Sequence, residues 1–284
     1  MNALRQLPRL AWATLRPHPG DPAKARLPER EITRHDVLVD ADSYADYCHV
    51  TECRMTGTLP LAYPHLLGFD AAMRLFGDPR FPFAPAGLLH INDHIVQHSP
   101  IPTDARLAIG TRLDNLAEHR KGAVFDTVTE VRRDGQVVWT ENSTYLVRSK
   151  RPREAASEPH SANTVELDSG DLEALWRVPA GTGRRYAQVS GDYNPVHLNR
   201  VTARVFGLKR AIAHGMWSLA RCLGALAGRV PDSVRVDARF RSPLWLPSSR
   251  VEFRTRRDDG TWHFGLADND HRRDYVSGSV NPNP

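Results

Sequence analysis

The tetrapeptide Ser99-Pro-Ile-Pro102 returns 143 positions later in Ser242-Pro-Leu-Trp-Leu-Pro247. Each copy follows a long apolar helix pattern and one strand-like run, and each precedes further strand-like runs. The offset is about half of the 284 residues, so an internal duplication is the economical explanation. In the first copy, Leu66, Leu67, Phe69, Met73, Leu75 and Phe76 crowd most of the surface of a helix predicted over 63–76. Such a helix is expected to be buried, and Gly77-Asp-Pro79 supplies its stop signal. Strands are predicted over 88–97, 106–118, 123–133 and 136–148, with Arg133-Asp-Gly135 as the hairpin turn between the last two. The second copy offers a helix over 214–228 and strands over 234–241, 250–256, 261–267 and 275–280, with a matching turn at Asp258-Asp-Gly260. An antiparallel sheet wrapped about a helix satisfies both apolar surfaces at once, so the pattern alone gives an α+β fold, present twice.

The flanking segments divide the chain. Residues 1–29 read as an N-terminal extension in which 4–15 could form a short basic helix; 30–148 form the first unit; 149–163, polar with two prolines, are a linker; 164–284 form the second unit. Within the units, 31–39 read as a strand and 40–49 as a helix capped by Asp40 or Asp42. Residues 164–167 begin a strand, 171–176 read as a short helix or turn, and 201–206 as a short helix.

Composition excludes several classes. With 40% hydrophobic and 25% charged residues the chain is ordinary for a globular protein. No apolar run approaches the roughly 20 residues of a membrane-spanning helix, and the start lacks the apolar core of a secretory signal. Three cysteines, Cys48, Cys53 and Cys222, make a disulfide framework or zinc site a poor reading and fit a reducing, cytoplasmic setting. The net charge of +5 suits a ligand bearing phosphates and is too weak to indicate nucleic acid. His90, His94 and His98 would stack on one face of a helix like metal ligands. In the strand expected here they also share a face, at steps of roughly 13 Å, too far for one metal ion.

Chemistry concentrates in Tyr186-Ala-Gln-Val-Ser-Gly-Asp-Tyr-Asn-Pro-Val-His197. Asp192 and His197 flank Asn194-Pro195, where proline fixes its own φ and restricts its neighbour. A stiffened bend can aim a carboxyl and an imidazole at one water, one accepting a proton and the other giving one. The plain alternative is a polar turn with a helix cap, since Asp and Asn are favoured there in any protein. The Gly-Thr-Gly at 181–183 is too short for a phosphate cradle.

The full string resembles the signature of the MaoC-like dehydratases, the (R)-specific enoyl-CoA hydratases also called hydratase 2. Tyr186, Val189, Ser190, Gly191, Asp192, Asn194, Pro195, Val196, His197 and Ala203 fill every position of it, and Ile212-Ala-His-Gly215 looks like the family's helix start. The resemblance covers about residues 163–280 and more weakly the first half. It implies a double hotdog, two long helices each wrapped by an antiparallel sheet and joined as an internal pseudo-dimer, a form compatible with further homodimerisation. It implies one working site, because nothing in the first half matches the motif.

The implied reaction is reversible syn addition of water to a trans-2-enoyl thioester, giving an (R)-3-hydroxyacyl thioester, on acyl-CoA or acyl-carrier protein. No metal or other cofactor is required; coenzyme A or phosphopantetheine enters as part of the substrate. Asp192 and His197 are the catalytic pair, with His197 expected to deprotonate the water and Asp192 to handle the proton for C2. Gly215 is assigned the oxyanion site; its N–H would sit unpaired at a helix start. Asn194 would orient the pair or bond to substrate, and Ser190 would do the same or simply shape the turn. Phe81, Phe83 and Tyr63 are candidates for the acyl-pocket wall, with ordinary core packing the competing reading. Two other functions fit the same fold: a hotdog thioesterase, and a non-catalytic subunit that binds acyl thioesters.

Overall fold

A computed structural model describes residues 24–149, 170–270 and 272–283. The basic segment 4–15, most of the 149–163 linker and the strand start at 164–167 lie outside the described residues.

Ten strands form one antiparallel sheet in the order β1-β3-β4-β5-β2-β7-β10-β9-β8-β6. The first half contributes β1 (Glu31–Val37), β2 (Leu88–Gln97), β3 (Leu107–His119), β4 (Gly122–Arg133) and β5 (Gln136–Arg148). The second contributes β6 (Asp171–Val178), β7 (Val234–Phe240), β8 (Ser248–Asp258), β9 (Thr261–Asp268) and β10 (Asp274–Pro282). Each half has the same internal order, read outward from the centre, which is the arrangement a duplication predicts. The halves join where β2 pairs antiparallel with β7, Asn92 opposite Arg239 through Gln97 opposite Val234. At the middle of that seam His94 faces Asp237, 143 residues apart, with Nδ1 to Oδ1 at 2.7 Å. This separation equals the repeat offset, so the pseudo-twofold axis of the double hotdog runs through the pair.

The helices lie against the sheet as the apolar patterns require. In the first half α1 (Ala41–Thr51) precedes the long α2 (Pro64–Phe76). The carboxylate of Asp40 accepts from Ser43 N–H at 2.8 Å and caps α1. In the second half, α3 (Thr182–Ser190), the single turn α4 (Pro195–Leu198) and α5 (Arg200–Val205) lead to the long α6 (Gly215–Leu226). Helix α6 buries Trp217, Leu219, Cys222, Leu223 and Leu226. Burial of this apolar face is the dominant stabilising contribution at about 25 cal/mol per Å² removed from water. The indole N–H of Trp217 donates to Val50 O at 2.8 Å and ties the second half's long helix to α1 of the first. Among the described residues no helix is long and apolar enough to cross a membrane.

Both hairpin turns form as expected, with Asp134 and Asp259 followed by glycines, all four at positive φ. Two expectations are corrected. Residues 171–176 are not a helix or turn but the start of edge strand β6, paired with β8 from Asp171 opposite Thr255 to Val178 opposite Ser248. Backbone pairing to a neighbouring strand overrides the helix-like spacing of Leu172 and Leu175, which stay 48% and 52% exposed. The histidines at 90, 94 and 98 do not share a face. The register of β2 against β5 slips between His90 and Asn92, and this bulge turns His90 inward while His94 reaches Asp237 on the other side. His98, past the strand end, is exposed.

Candidate active site

The motif folds as a helix end, a turn and a single helical turn. Helix α3 stops at Gly191, whose φ of +76° is the left-handed conformation that glycine adopts without strain. Asp192 follows in the turn, its N–H donating to Ser190 Oγ at 3.2 Å. Asp192 Oδ1 accepts from Asn194 N–H at 3.1 Å, and Asn194 Oδ1 accepts from Val196 N–H at 3.3 Å. Asn194 is thus the N-cap of α4, with Pro195 at its first position. Ser190 and Asn194 spend their oxygens on local backbone, so the helix-cap reading and the bend reading are both realised. Residues 184–189, which lead into the motif, are helical within α3.

His197 rides on α4 and points back to the Asp192 turn. A carbonyl can only accept, so the 2.9 Å contact of Nδ1 with Ile212 O fixes Nδ1 as the protonated nitrogen. Nε2 then carries the lone pair. Burial holds the His197 imidazole below its usual range despite the opposing pull of Asp192. Burial pushes the Asp192 carboxyl up, but His214, His197, the Asn194 N–H and His65 together hold it below its usual range. Both groups are therefore proton acceptors in the resting site at neutral pH.

A third residue joins them that sequence reasoning had not assigned. His214 stacks on His197 with ring centroids 3.7 Å apart. Its Nε2 donates to Asp192 O at 3.0 Å and lies 3.7 Å from Asp192 Oδ2, while its buried Nδ1 has no partner. Burial, with the neighbouring His197, pushes His214 down to about 3, so it is neutral. The signal was present, since His214 immediately precedes Gly215 in the family-like helix start, but nothing in spacing shows that its ring folds back on the motif. Donor atoms of Asp192, His197 and His214 lie within 4.8 Å of one another, a grouping that could hold a metal ion.

Gly215 opens α6, and His214 gives no side-chain cap there. The first backbone N–H groups of that helix are free of intrahelical partners and stand at its positive end. A Cβ on Gly215 would come within 2.9 Å of the Phe240 ring, so the space that glycine leaves is taken by β7. Gly183 serves a similar end: a Cβ there would overlap the His197 carbonyl. Gly183, and not Gly181, is thus the residue that lets α4 seat on α3.

The first half closes the other side. Phe69 approaches Gly191 so closely that a Cβ on that glycine would touch its ring at 3.9 Å. His90 packs between Tyr145 and Phe240 at centroid distances of 4.9 and 4.7 Å. His65 Nδ1 meets both oxygens of Glu141 at 3.0 and 2.9 Å, both residues being buried. Burial would lower the His65 imidazole, but the Glu141 carboxylate outweighs it and raises it, with a smaller pull from Asp192. Beside Glu141, burial and its neighbour's charge raise the Asp93 carboxyl well above the usual range. Of these first-half polar groups the sequence singled out only His90, and that as a possible metal ligand. Of the suggested acyl-wall residues, Phe81 and Phe83 are fully buried behind Phe125, and Tyr63 packs edge-on against Tyr44 and Tyr47. Phe69 stands beside Gly191 and Phe240 beside Gly215.

A protein from Mycobacterium tuberculosis named 3-hydroxyacyl-thioester dehydratase X is 34% identical over 265 residues, 93% of this chain and 92% of the relative. The chain belongs to the MaoC-like dehydratase family. The MaoC like domain itself matches residues 171–262, which contain the whole Asp192–His197 corner and Gly215. A crystal structure of HtdX from the same organism superposes with a TM-score of 0.78 at 31% identity, covering 89% of this chain and all of that one. The peroxisomal enoyl-CoA hydratase 2 of Arabidopsis thaliana is 25% identical over 204 residues, 63% of this chain and 66% of the relative. A MaoC-like dehydratase structure from Phytophthora capsici, at 20% identity and a TM-score of 0.73, shares the fold, covering 90% of this chain and 96% of that one.

Proposed function

We propose that this MaoC-like protein is an (R)-specific hydro-lyase that interconverts trans-2-enoyl and 3-hydroxyacyl thioesters in fatty-acid or related lipid metabolism. The observation that carries the reading is the tautomer of His197 beside an acid: Nδ1–H is given to Ile212 O, which leaves the Nε2 lone pair free, and the ring has a nitrogen within 4.8 Å of an Asp192 carboxylate oxygen. A water held between these two acceptors is polarised for attack.

As the water oxygen bonds to C3, one of its protons passes to Nε2 of His197 and the π electrons move onto the thioester oxygen. The N–H of Gly215 at the start of α6 stabilises that charge. The proton then reaches C2 on the same face by way of Asp192, which restores the thioester carbonyl and gives syn addition. The reverse sequence is dehydration. Atoms balance without a metal or redox group, and Asp192 and His197 handle the proton between them. His214 holds the Asp192 backbone through its Nε2 bond and supports the His197 ring by stacking. Asn194 and Ser190 act by fixing the backbone on either side of Asp192.

The experiment is a hydration assay with crotonyl-CoA and longer enoyl-CoAs, reading enoyl absorbance and product chirality. Loss of absorbance with an (R) product supports the proposal. Thiol release from saturated acyl-CoA without hydration would instead identify a thioesterase.

A further inference from the structure

Between Glu173 and Asp232 the chain carries nine arginines and lysines and a single acid, Asp192. The whole chain is only +5, so the remainder is net acidic and the positive charge is gathered on the segment that builds α3 to α6. Two of the nine are neutralised, Arg221 by Glu52 at 2.6 Å and Arg229 by Glu173 at 2.9 Å. Arg184, Arg185, Arg200, Arg204 and Lys209 are exposed and form no ion pair with another described residue. They line two depressions. One, of about 670 Å³, includes Arg184 and Arg185; the other, of about 370 Å³, includes Arg200, Arg204 and Lys209. The first sits on α3 and the second on α5, the helices that precede and follow the turn carrying His197.

Charge is half of the observation. Within the same α5 region Val201, Val205 and Phe206 are 74%, 80% and 42% exposed. Thr202 Oγ1 donates to Pro195 O at 2.7 Å and fastens α5 to the catalytic turn. An apolar centre ringed by cations is the anatomy of a protein interface. A small anion would satisfy the arginines and leave the valines bare. A second copy of this chain would set like charge against like, which is costly.

We propose that α5 and the following segment to Arg210 dock an acidic acyl-carrier protein, which presents its thioester arm to Asp192 and His197. This rests on the thioester reading above and names its partner. The acidic face of the carrier meets Arg200, Arg204 and Lys209, and its apolar side chains cover Val201, Val205 and Phe206.

The test places one trans-2-enoyl group on an acidic acyl carrier protein, on CoA and on pantetheine. With the carrier substrate, Arg200→Glu/Arg204→Glu and Val201→Asp/Val205→Asp are each expected to lower kcat/KM about tenfold or more, mainly through KM. Raising salt to about 0.5 M reproduces the loss in the wild type. Turnover of enoyl-pantetheine stays within about twofold in every variant, since the pantetheine substrate carries no partner surface. The proposal is overturned if the arginine variants slow the CoA substrate as much as the carrier substrate, if the valine variants change neither, or if the valine variants split a homodimer. Failure of wild type on all three substrates would sink the catalytic reading alone. Docking is then decided by titrating the carrier protein itself, a Kd raised about tenfold in the variants supporting it and an unchanged Kd ending it.

Discussion

His197 and His214 lie ring on ring, 3.7 Å between centroids and 26° from parallel, with opposite nitrogens committed to backbone carbonyls. His197 gives Nδ1–H to Ile212, and His214 gives Nε2–H to Asp192. Neither ring can rotate without losing a bond, so Nε2 of His197 keeps its aim. A pair of neutral stacked imidazoles also avoids the repulsion that two cations at this distance would suffer.

Replacing either acceptor should remove most of the rate. Asp192→Asn and His197→Ala are each expected to lower kcat by about 10²–10⁴, with circular dichroism unchanged. Since burial holds His197 below the usual histidine range, wild-type kcat/KM should be flat through neutrality and fall only below about pH 6.5. A profile whose acid limb lies above that value would contradict the assigned role.

Gly183→Ala tests the seating of the catalytic turn from a distance. Its methyl group would overlap the His197 carbonyl, so α4 must shift. A misplacement of about 1 Å costs on the order of 10²-fold in rate, whereas the stability loss from overpacking is about 1–3 kcal/mol. Steady-state kinetics and thermal melting on the same sample separate the two effects.

Glu141→Gln should be among the most destabilising single changes in the first half. It leaves buried His65 without its counter-charge, and breaking such a pair costs on the order of 3 kcal/mol. Because Glu141 raises the His65 imidazole, the pair's contribution is fully present below the unfolded histidine value and is lost as pH rises through the folded one. Denaturant melts should therefore show the wild type and Glu141→Gln converging toward alkaline pH.

His90 has the opposite sign. Burial, reinforced by the charge of His65, pushes it down to about 3, so the unfolded chain binds a proton that the folded chain refuses. Stability is lost as pH falls from about 6.5 toward 3. His90→Phe, which keeps the packing against Tyr145 and Phe240 and removes the partnerless Nε2, should flatten that acid slope and leave neutral-pH stability equal or higher. Urea titrations at about pH 4.5 and 7.5 read the difference directly.

The strand runs and both Asp-Gly turns were legible because alternation and turn chemistry act over a few residues. The bend between Asp192 and His197 was legible because Asn194-Pro195 restricts its own backbone whatever surrounds it. Edge strand β6 was not, because only β8 tells Leu172 and Leu175 that they are not helical. The faces of His90 and His94 were misjudged for a similar reason: one bulge, set by pairing with β5, inverts the alternation.

The order of residues alone determined that two helix-and-sheet units would form and that Asp192 and His197 would flank one rigid turn. Those outcomes depend on hydrophobic period and on backbone restriction, which are local. Folding decided the rest: that His214 returns to stack on His197, that Phe240 fills the space beside Gly215, and that His65, Glu141 and His90 of the other half surround the same point. These contacts join residues far apart in the chain, and no local preference encodes a distance that only the paired sheet and its packed helices set.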